Sequence, residues 1–301
     1  MVKRIHVLLV AISLLSIPAT GMLARAASPD DNGSAAVEAL KASVPLSSFD
    51  AAPPVPEPSG RAAGKLSGEE LFQSLHDSLN GRGVNIKSVP GYKQAKAYMY
   101  SKADNTGCDG GPGIITFYSE VCARGSSANG DDYHEQGDQN DDGVVDKIVN
   151  AEHIWPQSYF NSALPMVADI HQLASTFETP NGRRANLRFA RVSNAVYSTS
   201  CGSKLGSEGF EPCDPEKGNV ARAMLYFVVR YYDKSIRQGM DYNSFWTSRV
   251  PMLLEWNRQD PPDANEQRRN GLVETFQGNR NPFIDDPSLA DQIGAKVFQS
   301  H

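Results

Sequence analysis

The sequence contains no Cys-x-x-Cys pair, no His-Glu-x-x-His run, no internal repeat and only four cysteines in 301 residues. The first absence argues against a cysteine zinc site or a thioredoxin-like redox role, and the second against a zinc peptidase. Beyond the N-terminus no segment is apolar for long enough to cross a bilayer, which excludes an integral membrane protein. What is present suits a globular chain: 40% hydrophobic and 21% charged residues, enough for a sizeable core.

The first 26 residues pair a basic start with an apolar run broken at Pro18 and end on Ala24-Arg25-Ala26. They read as a signal peptide cleaved after Ala26, and no cysteine at that point supports a lipid anchor. The expected destination is the periplasm or the external medium. Removing Lys3, Arg4 and Arg25 leaves 26 basic groups against 35 acidic ones, a net charge of −9. An acidic mean argues against a polyanionic substrate, but its distribution weakens that argument. Seven acids crowd residues 131–146, whereas residues 181–191 hold four arginines and no acid. In an exported chain an even number of cysteines implies disulfides. Cys108 with Cys122 and Cys201 with Cys213 close the shortest loops among the three connectivities.

Residues 27–64 are rich in Ala, Pro and Ser without an apolar period and read as a linker. Ordered structure is expected from Ser67, where Ser67-x-x-Glu70 resembles a capping box ahead of a stripe of Leu71, Phe72, Leu75 and Leu79. The glycine- and aspartate-rich stretch 108–146 reads as loop. Residues 144–153 suggest a strand and 169–177 its partner. Thr179-Pro180 then suggests a helix start, with Thr as cap. Further helices are expected over 219–233, over 245–256 with an interruption at Pro251, and over 263–276. The economical reading is one α+β domain over 65–295.

The sharpest local feature is Asn150-Ala-Glu152-His153-Ile-Trp155-Pro156-Gln157-Ser158. Neighbours on a strand point to opposite faces, so Glu152 could hold a divalent metal while His153 takes a proton from water. Downstream, Asn181, Arg184 and Arg188 would share one face of a helix at i, i+3 and i+7. That face offers an amide oxygen to a hard metal and two guanidinium groups to phosphate oxygens. A bland alternative, an arginine-rich solvated face, explains four arginines without an acid poorly.

The runs NAEHIWPQS, DIHQL and NGRRAN, followed by KGNVARAMLYF (217–227) and FQGNRNPF (276–283), together resemble the endonuclease I family of secreted bacterial nucleases. The resemblance covers roughly residues 67–290. It implies a ββα-metal (His-Me finger) core embedded in a mainly helical single domain, and nonspecific hydrolysis of DNA, with RNA left open, using Mg²⁺. By motif, His153 would be the general base, Glu152 and Asn181 the magnesium ligands, and Arg184 a phosphate contact, with Arg183, Arg188 and Arg191 completing a basic surface. Two departures touch the helix region. A proline common after the second strand's leucine is replaced around Ala174-Ser175-Thr176, and the exit reads Arg188-Phe189-Ala190 rather than Pro-Phe-Gly. The arginine that some members carry between the two site strands has no match in NSALPMVA, leaving Arg183, Arg184 or Arg188 to substitute. His171 reads as a core histidine holding loop backbone in preference to an assisting group. Trp155, Trp246 and Trp256 read as core or rim aromatics, and FQGNRNPF as packing.

A second metal site is legible in the acidic stretch. Asp138-x-Asn140-x-Asp142-Gly143-Val144-x-Asp146 matches positions 1, 3, 5, 6, 7 and 9 of a calcium loop over 138–149, the Val144 carbonyl being a ligand. Position 12 falls on Val149, so the bidentate glutamate of an EF-hand is absent. Calcium there would brace the strand presenting Glu152 and His153. The rival reading of the whole chain is a secreted, calcium-stabilised binding module without catalysis. Joint retention of His153, Glu152 and Asn181 speaks against it. The partner is expected to be nucleic acid without sequence preference, with no membrane, and the chain is taken as a monomer.

Overall fold

A computed structural model describes residues 66–81, 91–125 and 149–301. The expected signal peptide (1–26), the linker (27–64) and the calcium-type ligands Asp138, Asn140, Asp142, Val144 and Asp146 lie outside the described residues, which all fall in one compact unit.

Helix α1 (Gly68–Leu79) starts where its stripe of apolar residues predicts, burying Leu71, Phe72 and Leu79. Ser67 occupies the N-cap position, but its side chain makes no capping bond, so the expected capping box does not form. Helix α2 (Tyr92–Tyr98) continues into a π-helical turn (Met99–Ala103). The stretch expected to be loop contains a short antiparallel hairpin, β1 (Gly113–Ile115) and β2 (Cys122–Arg124). The Cys108–Cys122 disulfide closes it, a cross-link standing in for the apolar period that the sequence lacks here.

Strand β3 (Val149–His153) pairs antiparallel with β4 (Leu173–Phe177), Glu152 opposite Ala174 and His153 opposite Leu173. The partner strand is shorter than expected. Residues 170–172 wind into a 3-10 turn capped by the Asp169 carboxylate, which accepts from the His171 N–H. Helix α3 (Glu178–Arg184) follows β4 directly, with Phe177 rather than Thr179 at the N-cap. It ends at Arg184, because Ala185 turns to φ 48°. Arg188 therefore lies beyond the helix, and the single face shared by Asn181, Arg184 and Arg188 does not exist.

A three-stranded sheet of β5 (Tyr197–Ser198), β6 (Lys204–Gly206) and β7 (Gly209–Glu211) comes next, and the Cys201–Cys213 disulfide spans its second half. Both disulfides match the expected pairing.

The core is organised around α4 (Lys217–Tyr231), buried along nearly its whole length, as its all-round apolar run requires. Helix α5 (Val250–Gln259) packs against it, with Pro251 tolerated in the first turn. Trp155 carries the end of β3 into this core, stacking on Phe227 at 5.0 Å and donating from Nε1 to the Ile236 carbonyl at 3.0 Å. Trp155, Trp246 and Trp256 are all fully buried. Helix α6 (Ala264–Gln277) is capped by Asp263 and stopped by Gly278 at φ 89°. Three short helices close the chain: α7 (Pro282–Asp285), α8 (Leu289–Ile293) and α9 (Ala295–Ser300). Helices with small antiparallel sheets make the protein α+β. Among the described residues no helix is long and apolar enough to cross a membrane.

The FQGNRNPF stretch serves packing, as expected. Gln277 accepts from the Ile170 N–H at 3.0 Å and donates to Asp169 at 2.7 Å, and Asn281 donates to the Arg222 carbonyl at 3.1 Å. Asp169 also meets Arg230 at 2.7 Å and the hydroxyls of Tyr226 and Tyr231 at 2.8 and 2.7 Å. Burial would raise its carboxyl, but Arg230 and the other donors more than offset this and leave it below its ordinary value. This buried network holds the chain just ahead of β4.

Candidate active site

Glu152 and His153 stand at the C-terminal end of β3, and α3 lies against the hairpin that carries them. Asn181 donates from Nδ2 to Asn150 Oδ1 at 2.6 Å and to the Ala151 carbonyl at 3.4 Å. Consuming both amide protons fixes which way the amide faces, with Oδ1 as the end left to accept. Asn181 is thus tied to β3 at Asn150 and Ala151, one to three residues before Glu152 and His153. Asn150 sits inside the quoted motif, but nothing in the motif marks it. Its task shows only once α3 folds back onto β3.

Glu152 is buried. Its Oε1 receives two donors, the Tyr118 hydroxyl at 2.8 Å and Arg184 Nη1 at 2.9 Å. Among the described residues no side-chain donor is directed at Oε2. Burial raises the carboxyl above its ordinary value, and Arg184 together with the Tyr118 hydroxyl pulls it back toward ionisation.

Arg184 corrects the phosphate-contact expectation. It is fully buried, and besides Glu152 it donates from Nη1 to the His153 carbonyl at 2.8 Å and from Nη2 to the Ile154 carbonyl at 2.6 Å. Its plane also lies over Phe189, 4.5 Å from the ring centroid. A guanidinium so engaged holds the end of β3 and is not on offer to a backbone phosphate. Arg183 is exposed, 5.4 Å over the Tyr197 ring. Arg188 is half-buried and its Nε has no partner, while Arg191 is exposed and paired with Glu255 at 2.7 Å. The four expected phosphate contacts therefore divide into one structural arginine and three others.

His153 is 5% exposed, with Nε2 3.1 Å from the Val167 carbonyl. A carbonyl only accepts, so Nε2 carries the proton and Nδ1 the lone pair. Burial pushes the imidazole down to about 4, so the ring is neutral at pH 7. Tyr92 lies 5.3 Å away between ring centroids, with Lys96 4.8 Å over Tyr92. A neutral imidazole, locked in one tautomer with one nitrogen left as a base, can take a proton from water.

The candidate donors on β3 and α3 are oxygens, the Glu152 carboxylate and the Asn181 amide. That chemistry fits a hard divalent cation that keeps most of its waters, as Mg²⁺ does, and does not suit a thiophilic metal. Among the described residues no three His, Cys, Asp or Glu side chains gather to hold a metal, so a metal here would depend on this mixed pair and water.

His171, the other histidine near the hairpin, is held elsewhere through Nε2, and its buried Nδ1 has no hydrogen-bond partner. It is buried and its Nε2 donates to the Asn279 carbonyl at 2.8 Å, which is the core role expected of it. A cavity of about 250 Å³ is bordered by His171, Ala174, Glu216 and Arg269 and includes neither Glu152, His153 nor Asn181. The candidate chemistry lies apart from it.

Sequence reasoning missed Tyr118. It lies 34 residues before Glu152, between Phe117 and Ser119 in a stretch without periodicity, and no spacing links it to the Glu-His pair.

A neutral, strand-borne imidazole with one free nitrogen, on a strand that also carries a buried carboxylate and is packed against a short helix, is the local arrangement these residues form. The chain belongs to the endonuclease I family, whose model matches residues 68–288. It is 36% identical over 154 residues to an extracellular ribonuclease of Bacillus amyloliquefaciens, covering 48% of this chain and 53% of that protein. It is 30% identical over 124 residues to an extracellular deoxyribonuclease of Aeromonas hydrophila (40% and 50% covered) and 31% over 125 residues to a periplasmic deoxyribonuclease of the same organism (40% and 48% covered). The chain spans about half the length of the curated relatives it matches.

Proposed function

We propose that this protein is an exported endonuclease that hydrolyses phosphodiester bonds of nucleic acid without sequence preference, on a ββα-metal core made of β3, β4 and α3. The observation that carries the reading is the tautomer of His153: Nε2 is committed to the Val167 carbonyl, which leaves Nδ1 as the base. Relatives named as ribonuclease and deoxyribonuclease support both RNA and DNA as substrates, and their extracellular and periplasmic names support export.

In this reading Glu152 and Asn181 hold one Mg²⁺. Bound there, the ion would supply charge for the phosphate oxygens and the leaving 3′ oxygen as negative charge develops. The remaining work falls to the chain. His153 Nδ1 takes the proton of the attacking water, while the Val167 carbonyl stabilises the imidazolium that results. Arg184 keeps Glu152 ionised and holds the strand end in place. Arg183, Arg188 and Arg191 meet backbone phosphates, which carry no base information, and this is why no sequence preference is expected.

Calcium at Asp138, Asn140, Asp142, Val144 and Asp146 is proposed as a structural ion. The sequence pattern supports it, and position 12 of that pattern, Val149, is the first residue of β3.

The test is cleavage of plasmid DNA and of a structured RNA by wild type and His153→Ala, with Mg²⁺ or with chelator. We expect cleavage by wild type with Mg²⁺ only and a loss of about 10²–10⁴ in rate in the variant. Folded His153→Ala that cleaves at the wild-type rate would overturn the assignment. Binding without any cleavage by wild type would favour the inactive binding module.

A further inference from the structure

Glu152 is held at one oxygen by two donors from different parts of the chain, and one of them, Tyr118, takes no part in the chemistry proposed above. We propose that Tyr118 is a positioning residue for metal binding: its hydroxyl, sharing Oε1 of Glu152 with Arg184, turns the carboxylate so that Oε2 is the oxygen presented to the ion. The inference rests on the proposed function in taking Glu152 as a metal ligand.

Three observations carry it. The first is convergence. The Tyr118 hydroxyl and Arg184 Nη1 lie 2.8 and 2.9 Å from the same oxygen. Neutralising a buried carboxylate requires only the arginine. A second donor on the same atom adds direction, fixing rotation about the last side-chain bond.

The second is conformational cost. Tyr118 sits at φ 71°, a region that a bulky side chain seldom adopts and that costs on the order of 1–3 kcal/mol. Such a conformation persists where the surroundings over-determine it.

The third is that over-determination. The Tyr118 N–H donates to both carboxylate oxygens of Glu216 at 2.8 and 2.7 Å, and its carbonyl accepts from the Thr199 hydroxyl at 2.6 Å. Its fully buried ring lies 4.7 Å from Phe210 and 4.9 Å from Phe117 between centroids. Glu216 adjoins the start of α4, so the phenol is anchored to the central helix. A buried tyrosine needing only some acceptor for its hydroxyl would not require a positive φ and a bond at every polar backbone atom. Partners of a metal ligand, although they touch no metal, commonly set affinity by about 10- to 100-fold.

The experiment measures Mn²⁺ binding by electron paramagnetic resonance on the full chain, without substrate. The difference between wild type and Glu152→Gln defines the site. Tyr118→Phe keeps the ring and removes the hydroxyl, and should bind Mn²⁺ about tenfold more weakly at that site. The control is Tyr226→Phe, which removes a buried hydroxyl from a different carboxylate, Asp169. It should lower the melting temperature and leave Mn²⁺ affinity unmoved. Thr199→Val, which releases the Tyr118 carbonyl but keeps its hydroxyl, should give a smaller loss in the same direction. Wild-type affinity in folded Tyr118→Phe, or equal losses in Tyr118→Phe and Tyr226→Phe, would overturn the proposal while Glu152→Gln still weakened binding. If Glu152→Gln binds like wild type, the metal reading itself fails, and the proposal with it.

Discussion

Arg184 and Glu152 form an ion pair at 2.9 Å in which neither side chain is more than 2% exposed. An arginine that sequence spacing offers to substrate phosphate is instead a partner of the proposed metal ligand, and this divides the basic stretch into residues with opposite mutational behaviour.

Arg184→Ala should be the most damaging arginine substitution. It strands a buried carboxylate and releases the His153 and Ile154 carbonyls at once. Breaking a buried pair typically costs about 3–5 kcal/mol, so thermal unfolding should shift down by many degrees. A melting temperature within a degree of wild type would show that the pair is dispensable.

Arg183→Ala and Arg188→Ala should leave stability nearly unchanged and weaken nucleic-acid binding across all sequences. Removing one phosphate-binding guanidinium should flatten the slope of log affinity against log salt by about 0.9 on duplex DNA. Arg191→Ala should matter less, because Glu255 already neutralises that side chain. Filter binding over a salt series checks the ranking, and a loss confined to particular sequences would indicate base readout.

Acid stability follows from the two buried histidines. Burial pushes His153 and His171 down to about 4 each, against about 6.5 in an unfolded chain. Above pH 6.5 both are neutral in both states, and their contribution to stability is fully present. As pH falls from about 6.5 to about 4 the unfolded chain takes up protons that the folded chain refuses, so stability declines through that window. His171→Gln should shallow the decline measured by urea melts between pH 7 and 4. An equally steep decline in the variant would place the cause elsewhere.

Calcium should raise the melting temperature of wild type and do so equally in His153→Ala, because the proposed ligands Asp138, Asn140, Asp142, Val144 and Asp146 act on stability. In Asp138→Ala/Asp142→Ala the increment should vanish while Mg²⁺-supported cleavage persists at low temperature. No thermal shift in wild type would reduce the pattern to a solvated acidic turn.

Much of this architecture is legible before folding, for reasons that differ from residue to residue. The all-round apolar run that becomes α4 reads as a buried helix because burial and periodicity share one pattern. His153, Glu152 and Asn181 lie in short motifs, so their chemistry is local in sequence. Spacing misplaces Arg188 because i, i+7 assigns a face only while the helix lasts, and α3 stops where Ala185 turns to φ 48°. It misreads Arg184 because helical spacing does not record that this face is buried against Glu152 and the end of β3. The 3-10 turn at 170–172 shortens the expected strand because Asp169 caps it, a side-chain choice that hydrophobic pattern does not record. Tyr118 is out of reach for another reason: its partners Glu152, Thr199 and Glu216 lie 34, 81 and 98 residues away, and only the folded chain brings them together.

The disulfides gain a meaning from where Tyr118 sits. Cys108–Cys122 closes the loop that contains it, and Cys201–Cys213 holds the segment just after Thr199, which grips its carbonyl. Neither cross-link forms readily in a reducing compartment. A newly made copy still inside the producing cell is therefore expected to lack the brace on Glu152 and to cleave poorly. Comparing oxidised and dithiothreitol-treated protein on plasmid DNA checks this, and equal rates would refute it. Under the proposed function, cross-linking after export would then double as an arming step that spares the producer's own nucleic acid.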